Sequence, residues 1–304
     1  MNCCWNNNNS SNRLLFIFNL EPRTITDVFS MSIQETKQSK SLMKVNNNKH
    51  TQQSSLRSNL SDGWETLKLW GEVAVRVEPL TGGVANDVWK VCVDGLIAVG
   101  RLGSRSDADL AWEMELMLYL DQKGLAVPLP IPTMDGRLFV DGLVVMTYVE
   151  GDAPQNPSEW SRVADTLRTL HQLTKDWPQR PGWCSSQDLL RANTGTKVDL
   201  TSMPAEGVTR CRKAWSRLKG YETSVIHGDA GNPGNVRITS ERVALIDWDE
   251  AHVDVPLLDL VLPHNAGGFI GDEFDIATQA SAAWEAAVCW DDDYSKRRLA
   301  EVHD

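Results

Sequence analysis

Cysteine is sparse in this chain. Its 304 residues hold six, scattered except for the adjacent Cys3-Cys4, which gives neither a disulfide framework nor the paired spacings of a zinc site. Positive charge is also short. Thirty Lys and Arg stand against 41 Asp and Glu, a net charge of −11, and a chain of that sign is a poor partner for nucleic acid. Long apolar runs are missing as well: Leu14 to Phe18 is too short to span a bilayer or to form a signal-peptide core. No membrane partner is expected, and the absences together fit a cytoplasmic protein.

The first sixty residues differ in kind from the rest. They contain eleven Asn and nine Ser, with runs at Asn6 to Asn9 and Asn46 to Asn48. Such a composition buries too little apolar surface to offset chain entropy, so residues 1–60 are expected to be a disordered extension. Seven Lys/Arg against three Asp/Glu give this segment +4 and leave −15 on the remainder. A basic, Ser-rich, acid-poor leader has the composition of an organelle transit peptide, although no clear amphipathic Arg helix is present. An extension ahead of a start at Met31 or Met43 fits as well. The roughly 240 residues that follow suffice for two lobes with a core each.

The most informative stretch is Val225-Ile226-His227-Gly228-Asp229-Ala230-Gly231-Asn232-Pro233-Gly234-Asn235, followed by Leu245-Ile246-Asp247-Trp248-Asp249. Ser224 to Ile226 reads as a short strand feeding a loop. Val236 to Thr239 and Val243 to Ile246 read as a hairpin joined by polar Ser240-Glu241-Arg242. A hairpin of that size brings Asn235 and Asp247 to one rim. In kinase-type phosphoryl transfer one carboxylate accepts the acceptor's hydroxyl proton, while an amide oxygen and a second carboxylate hold the metal. Asp229 is the candidate base, Asn235 and Asp247 the candidate Mg²⁺ ligands, with Asp249 as a lesser one.

With these residues the chain resembles the aminoglycoside phosphotransferase and choline kinase superfamily, from about Trp64 to its end. That family carries His-Gly-Asp, four residues, Asn, then an apolar strand ending in Ile-Asp-Trp or Ile-Asp-Phe. The resemblance implies a bilobal protein-kinase-like α+β fold, with an antiparallel-sheet N-lobe and a mostly helical C-lobe carrying a catalytic hairpin. It assigns His227 to bracing the catalytic loop. Asp254 to Leu260 resembles the family's Asp-Pro-x-x-Asp-Leu helix start, with Asp259 structural. One departure lies inside the motif: five residues, Ala230 to Gly234, separate Asp229 from Asn235. An extra loop residue costs little closure entropy but can displace Asn235, so Asn232 stands as an alternative ligand.

Upstream, Ala74 to Leu80, Val88 to Val93 and Leu96 to Leu102 read as three antiparallel strands. The Gly82-Gly83 loop between the first two can cover phosphates with backbone N–H groups, and Asp94-Gly95 forms a tight turn. Kinase folds place a Lys on the third strand, held by a Glu of the next helix. Arg101 occupies that position here. Glu113, or less directly Glu115, is its partner on a helix opening at Ser106, and Lys90 is a weaker candidate cation. Arg binds phosphate as a fork rather than as a point charge. Gly124 to Pro132 is extended, and strands at Arg137 to Val140 and Leu143 to Tyr148 follow. By resemblance the second of these ends at the lobe hinge, where backbone near Tyr148 would meet an adenine edge and Met146 would close the pocket behind it.

Beyond the hinge the pattern is helical: Trp160 to Leu173, a helix pair within Asp199 to Leu218 broken by Pro204 and Gly207, and Asp275 to Trp290. His171 reads as a helix-terminal or core residue, Lys296 to Arg298 as a solvated helix face and Asp291 to Asp293 as a solvated loop. The division expected is 1–60 extension, 61–151 N-lobe with the nucleotide clamp, and 152–304 C-lobe with catalytic and acceptor-binding groups. The expectation is an ATP- and Mg²⁺-dependent phosphotransferase acting on a small-molecule hydroxyl, with GTP in place of ATP left open. The acidic balance slightly favours a cationic acceptor. Two alternatives stand beside it: a nucleotide-binding pseudokinase without turnover, suggested by Arg101 and the lengthened loop, and a hydrolase using Asp229 and Asp247 as a carboxylate pair.

Overall fold

Alternating β-branched residues build the first half of the molecule into a sheet. Strands β1 (Ala74–Pro79), β2 (Asp87–Val93), β3 (Leu96–Leu102), β4 (Phe139–Val140) and β5 (Leu143–Thr147) pair antiparallel in the order β1-β2-β3-β5-β4. The structure is a computed structural model and describes residues 63–80, 86–195, 197–288, 290 and 292–303. The expectations for residues 1–60, for the Gly82-Gly83 loop and for Asp291 lie outside the described residues. Tight turns at Asp94-Gly95 and Asp141-Gly142 place all four residues at positive φ, which matches the twist of the flanking strands. The strand expected from Arg137 is shorter and begins at Phe139. Segment 124–132 is extended and flanks β5, with Ile131 N–H on the Val145 carbonyl and Thr147 N–H on that of Leu129, both at 2.8 Å.

Helix α1 (Asp107–Gln122) starts at Ser106, whose hydroxyl accepts from Asp109 N–H. It is apolar on two sides because it packs against two things at once. Leu110 and Met114 meet Val144 and Met146 of the sheet. Trp112, Leu116, Met117 and Leu120 enter a larger core with helix α2 (Pro157–Leu173), which turns Trp160, Val163, Leu167 and Leu170 inward. Asn156 caps α2 by accepting from Glu159 N–H at 3.1 Å.

The remaining helices, α3 (Ala205–Ser216), α4 (Glu273–Val288) and α5 (Asp293–Ala300), enclose a third core around Trp215 and an alanine-lined face of α4. Small side chains on α4 let its neighbours approach closely. Gly207 does not break the helix pair; it lies inside α3, where an added methyl would sit 3.0 Å from Leu299 Cδ2. The helix expected before it is a single 3₁₀ turn, Leu200–Ser202. Asp292 is not simply a solvated loop residue, since its carboxylate caps α5 through Ser295 N–H at 2.8 Å. Arg298 likewise leaves the solvated face and forks onto Glu285 at 2.9 and 3.1 Å.

Short strands complete the frame: β6 (Thr194–Gly195) with β7 (Val198–Asp199), β8 (Ser224–Ile226) with β11 (His252–Asp254), and β9 (Val236–Ile238) with β10 (Val243–Leu245), all antiparallel. The sequence reading missed β11. The expected helix start after it is a 3₁₀ turn, Pro256–Leu260.

Candidate active site

Strand β8 ends at His227, and the loop that follows is fixed from below. His227 N–H and Gly228 N–H donate to the two oxygens of Asp259 at 2.7 and 2.8 Å. His171 Nε2 reaches the same buried carboxylate at 2.9 Å. The His227 ring is fully buried, with Nε2 3.0 Å from the Ile246 carbonyl and Nδ1 3.4 Å from Asp229 N–H. A carbonyl only accepts, so Nε2 carries the proton and Nδ1 accepts from Asp229. His227 thereby ties the loop of Asp229 to the strand end that carries Asp247. Trp248 holds the ring from one side, centroid to centroid 4.8 Å.

The lengthened loop folds its extra residue away. Asn232 Oδ1 accepts from Gly234 N–H at 3.0 Å and caps a 3₁₀ turn, Pro233–Asn235. That turn returns Asn235 to Asp229: its Nδ2 donates to Asp229 Oδ2 at 2.7 Å and to the Asp229 carbonyl at 3.1 Å. Asn232 Nδ2 reaches the same carboxylate only at 3.4 Å, and its oxygen is engaged in the turn. Asn235 is therefore better placed than Asn232 to offer an amide oxygen to a cation.

Asn235 and Asp247 stand at one end of the β9–β10 hairpin. Leu245 pairs with Val236, and Ile246 N–H continues the ladder to the Asn235 carbonyl at 2.9 Å. The next residue, Asp247, has φ of 62°, a left-handed conformation that an Asp tolerates at modest cost. Its carboxylate takes no hydrogen bond or ion pair among the described residues. A buried-edge amide oxygen and a carboxylate without a protein partner form a donor set that suits a hard divalent cation, which takes its other ligands from phosphate and water. Among the described residues no three His, Cys, Asp or Glu side chains gather as a metal cluster.

Arg101 projects from β3 into a buried set of charges. It contacts Glu113 of α1 through Nη2 and Asp249 Oδ1 through Nη1 at 2.7 Å. Arg105 contacts the other Glu113 oxygen and lies 3.5 Å from Asp249. Arg180 lies 2.6 Å from Asp109 and 3.4 Å from Glu113, and its Nη1 reaches the carbonyls of Trp248, Asp249 and Ala251. Asn86 completes the ring on Asp249. Asp249 is thus engaged by arginines, and Glu115 is not part of the cluster. Lys90 pairs with Glu78 at 3.0 Å and covers the exposed ring of Tyr148. By register Arg101 pairs with Val144 and Val99 with Met146, so Met146 lies two residues along the same face, buried against α1.

A model of the APH phosphotransferase enzyme family matches residues 76–299. The chain belongs to this family. It is 28% identical over 193 residues to a homoserine kinase of Rhodopseudomonas palustris (strain HaA2), covering 59% of this chain and 58% of that protein. The chain thus spans somewhat over half the length of the curated relatives it matches. A microcompartment-associated aminopropanol kinase superposes with a TM-score of 0.53 at 14% identity, over 77% of this chain and 91% of that one. The choline kinase LicA from Streptococcus pneumoniae gives 0.53 at 17%, over 75% and 92%. The bilobal protein-kinase-like fold is shared with both.

In this phosphotransferase-family chain the charges of the site are strongly perturbed. Burial alone would raise the Glu113 carboxyl, but Arg101, Arg105 and Arg180 hold it down at about 2. Burial opposes the charge of Arg101 in turn, and Glu113 and Asp249 more than offset that, leaving its affinity for a proton above the ordinary value. The Asp229 carboxyl moves the other way: partial burial raises it, while hydrogen bonds from Asn232 and Asn235 restrain the rise. Asp247 is also raised, first by burial and then by the charge of Asp249. For Asp259 burial is overcome by the His171 hydrogen bond, and the group stays below its usual range.

Asn86, Arg105, Asp109 and Arg180 escaped the sequence reading. Asp109 and Glu113 lie four residues apart on one face of α1, and Arg105 stands four residues before Asp109, just ahead of the helix; that spacing was a usable signal. Arg180 had none, because it sits in a loop between Gln179 and Pro181 and meets α1 only through the tertiary fold.

Proposed function

We propose that this chain is an ATP- and Mg²⁺-dependent phosphotransferase that moves a γ-phosphoryl group to a hydroxyl of a small molecule. The observation that carries the reading is the 2.7 Å bond from Asn235 to Asp229, with Asp247 across the hairpin. It supports a base and two metal-holding groups on one rim in spite of the lengthened loop. Asp229, held by Asn235 and by the Asp259-anchored loop, takes the proton of the acceptor hydroxyl as that oxygen attacks phosphorus. Its raised carboxyl is a better proton acceptor than an ordinary aspartate. Asn235 and Asp247 would hold Mg²⁺, which neutralises phosphate charge when bound. Arg101, fixed by Glu113, orients the phosphates as a fork.

Residues 61–151 serve as the nucleotide-clamping lobe and 152–304 as the catalytic and acceptor lobe, with Met146 and Tyr148 at the adenine end. The formed Arg101–Glu113 pair and the retained Asn235–Asp229 bond favour turnover over a silent scaffold. Homoserine, the substrate named for several relatives, makes a hydroxyl on a small amino-bearing molecule the acceptor to try first. Thermal unfolding of the full chain with ATP, with and without Mg²⁺, tests the nucleotide site without a choice of acceptor. At about a hundred times Kd the stabilisation is about 2.7 kcal/mol, a rise of roughly 5–10 °C. Asp247→Asn is expected to remove the Mg²⁺-dependent part. Absence of any nucleotide shift in well-folded protein refutes the proposal.

A further inference from the structure

One ion pair beside Asp229 is not used by the phosphoryl-transfer groups. Gly228 lies flat against Glu250: its φ is +84°, and an added methyl would fall 2.6 Å from the Glu250 carbonyl oxygen and 2.8 Å from its Cβ. Glu250 is therefore a direct neighbour of the catalytic loop, and its charge is among those felt by the Asp229 carboxyl. The Glu250 carboxylate is paired with Lys197, which arrives from the turn between β6 and β7. The Lys197 ammonium also stands 5.4 Å from the centroid of the Trp183 ring. Trp183 is itself immobilised, stacked on His252 at 5.0 Å, with His252 stacked on Trp284 at 4.6 Å. Both charged side chains remain open to solvent, 29% for Lys197 and 31% for Glu250.

A solvent-accessible pair of this kind contributes little to folding, so its position decides what it can do. Two fixed charges of opposite sign, one against the loop of the base and one on an aromatic platform, complement a ligand that carries the same two charges reversed. We propose that Glu250 and Lys197 select the acceptor by taking the ammonium and the carboxylate of a hydroxy amino acid whose side-chain hydroxyl faces Asp229. This inference rests on the phosphotransferase reading. Such a ligand exchanges one internal ion pair for two intermolecular ones and leaves neither side chain uncompensated. An amino alcohol satisfies Glu250 but leaves Lys197 without a partner, and a polycation meets Lys197 as a like charge. A neutral polyol engages neither. Unpaired charges at a binding site cost affinity in proportion to their desolvation.

Matched acceptor pairs give the test. L-homoserine and 3-aminopropan-1-ol differ only by the carboxylate, as do L-serine and 2-aminoethanol. Acceptor-dependent ATP consumption by the full chain is expected to favour the amino acid of at least one pair by at least about tenfold in kcat/KM (~1.4 kcal/mol). Lys197→Met is expected to bring that ratio close to one by raising KM for the amino acid, with kcat within about threefold, and by lowering KM for the amino alcohol, which no longer strands an unpaired Lys197. Lys197→Arg should keep most of the preference. Equal use of both members of each pair by the wild type, or a parallel loss on both in Lys197→Met, overturns the proposal. If none of the four acceptors is phosphorylated, the Mg²⁺-dependent thermal shift with ATP decides separately whether the phosphotransferase reading stands. Calorimetric binding of L-homoserine and L-serine then decides the specificity site: binding abolished by Lys197→Met sustains it, and no binding to the wild type overturns it.

Discussion

Glu113→Gln probes the charge cluster most directly. The carboxylate is 1% exposed and touches Arg101, Arg105 and Arg180. A carboxyl drawn from 4.5 to about 2 contributes about 3 kcal/mol of folding free energy at neutral pH. Removal of one partner from a buried pair costs about 3–5 kcal/mol by the same order of reasoning. The variant should therefore lose about 3 kcal/mol at pH 7, roughly 6–12 °C in Tm for a unit of this size. The sign with pH follows from the depressed carboxyl. Its contribution is complete above the ordinary value of 4.5 and fades as pH falls towards 2, so the gap between the two proteins should narrow to about 2 kcal/mol at pH 3.5. Urea titrations of both proteins from pH 7 to pH 3.5 would measure it. A gap under 1 kcal/mol at pH 7, or one that does not narrow on acidification, refutes the view that Glu113 organises the three arginines. Because Glu113 also fixes Arg101, the variant should bind ATP more weakly even where it remains folded.

Three other outcomes follow from the geometry of the loop and the hairpin. Asp229→Asn is expected to lower kcat by about 10²–10⁴ while Tm and ATP binding change little, since an amide keeps the Asn235 contact; a fall of less than tenfold would remove Asp229 from the role of base. In the wild type the acid limb of kcat/KM should lie above the ordinary aspartate value of 3.8, because burial raises this carboxyl, and activity is lost as pH falls through it; a stopped pH series locates the limb. Gly228→Ala combines a left-handed φ with a 2.6 Å clash on the Glu250 carbonyl, so a loss of more than about 1–3 kcal/mol with impaired turnover is expected in denaturant and rate measurements.

Local chemistry made much of the fold legible. The two-residue turns at Asp94-Gly95 and Asp141-Gly142, the β-branched strands around them and the helical stripe from Trp160 each follow from rules that act over a few residues. The same holds for the strand, loop and hairpin that carry Asp229, Asn235 and Asp247, because their spacing is set within one short stretch of chain. Gly207 was misread for the opposite reason. In isolation it is a helix breaker, but Leu299 packs on it and the packing outweighs a propensity cost of about 1 kcal/mol.

What the sequence by itself determined, then, were the groups that lie close along the chain: the short-range elements, the set of candidate catalytic residues and the Arg101 position on β3. Tertiary structure alone decided how the extra loop residue is absorbed, since only the 3₁₀ turn capped by Asn232 shows Asn235 returning to Asp229. It also decided that Asp249 belongs to the arginine cluster and that Arg180, 67 residues from Glu113, completes it. Lys197 and Glu250 meet in the same way across 53 residues. Charges that far apart in sequence carry no periodic or spacing signal, and their energy depends on distance and burial, which exist only once the chain has folded.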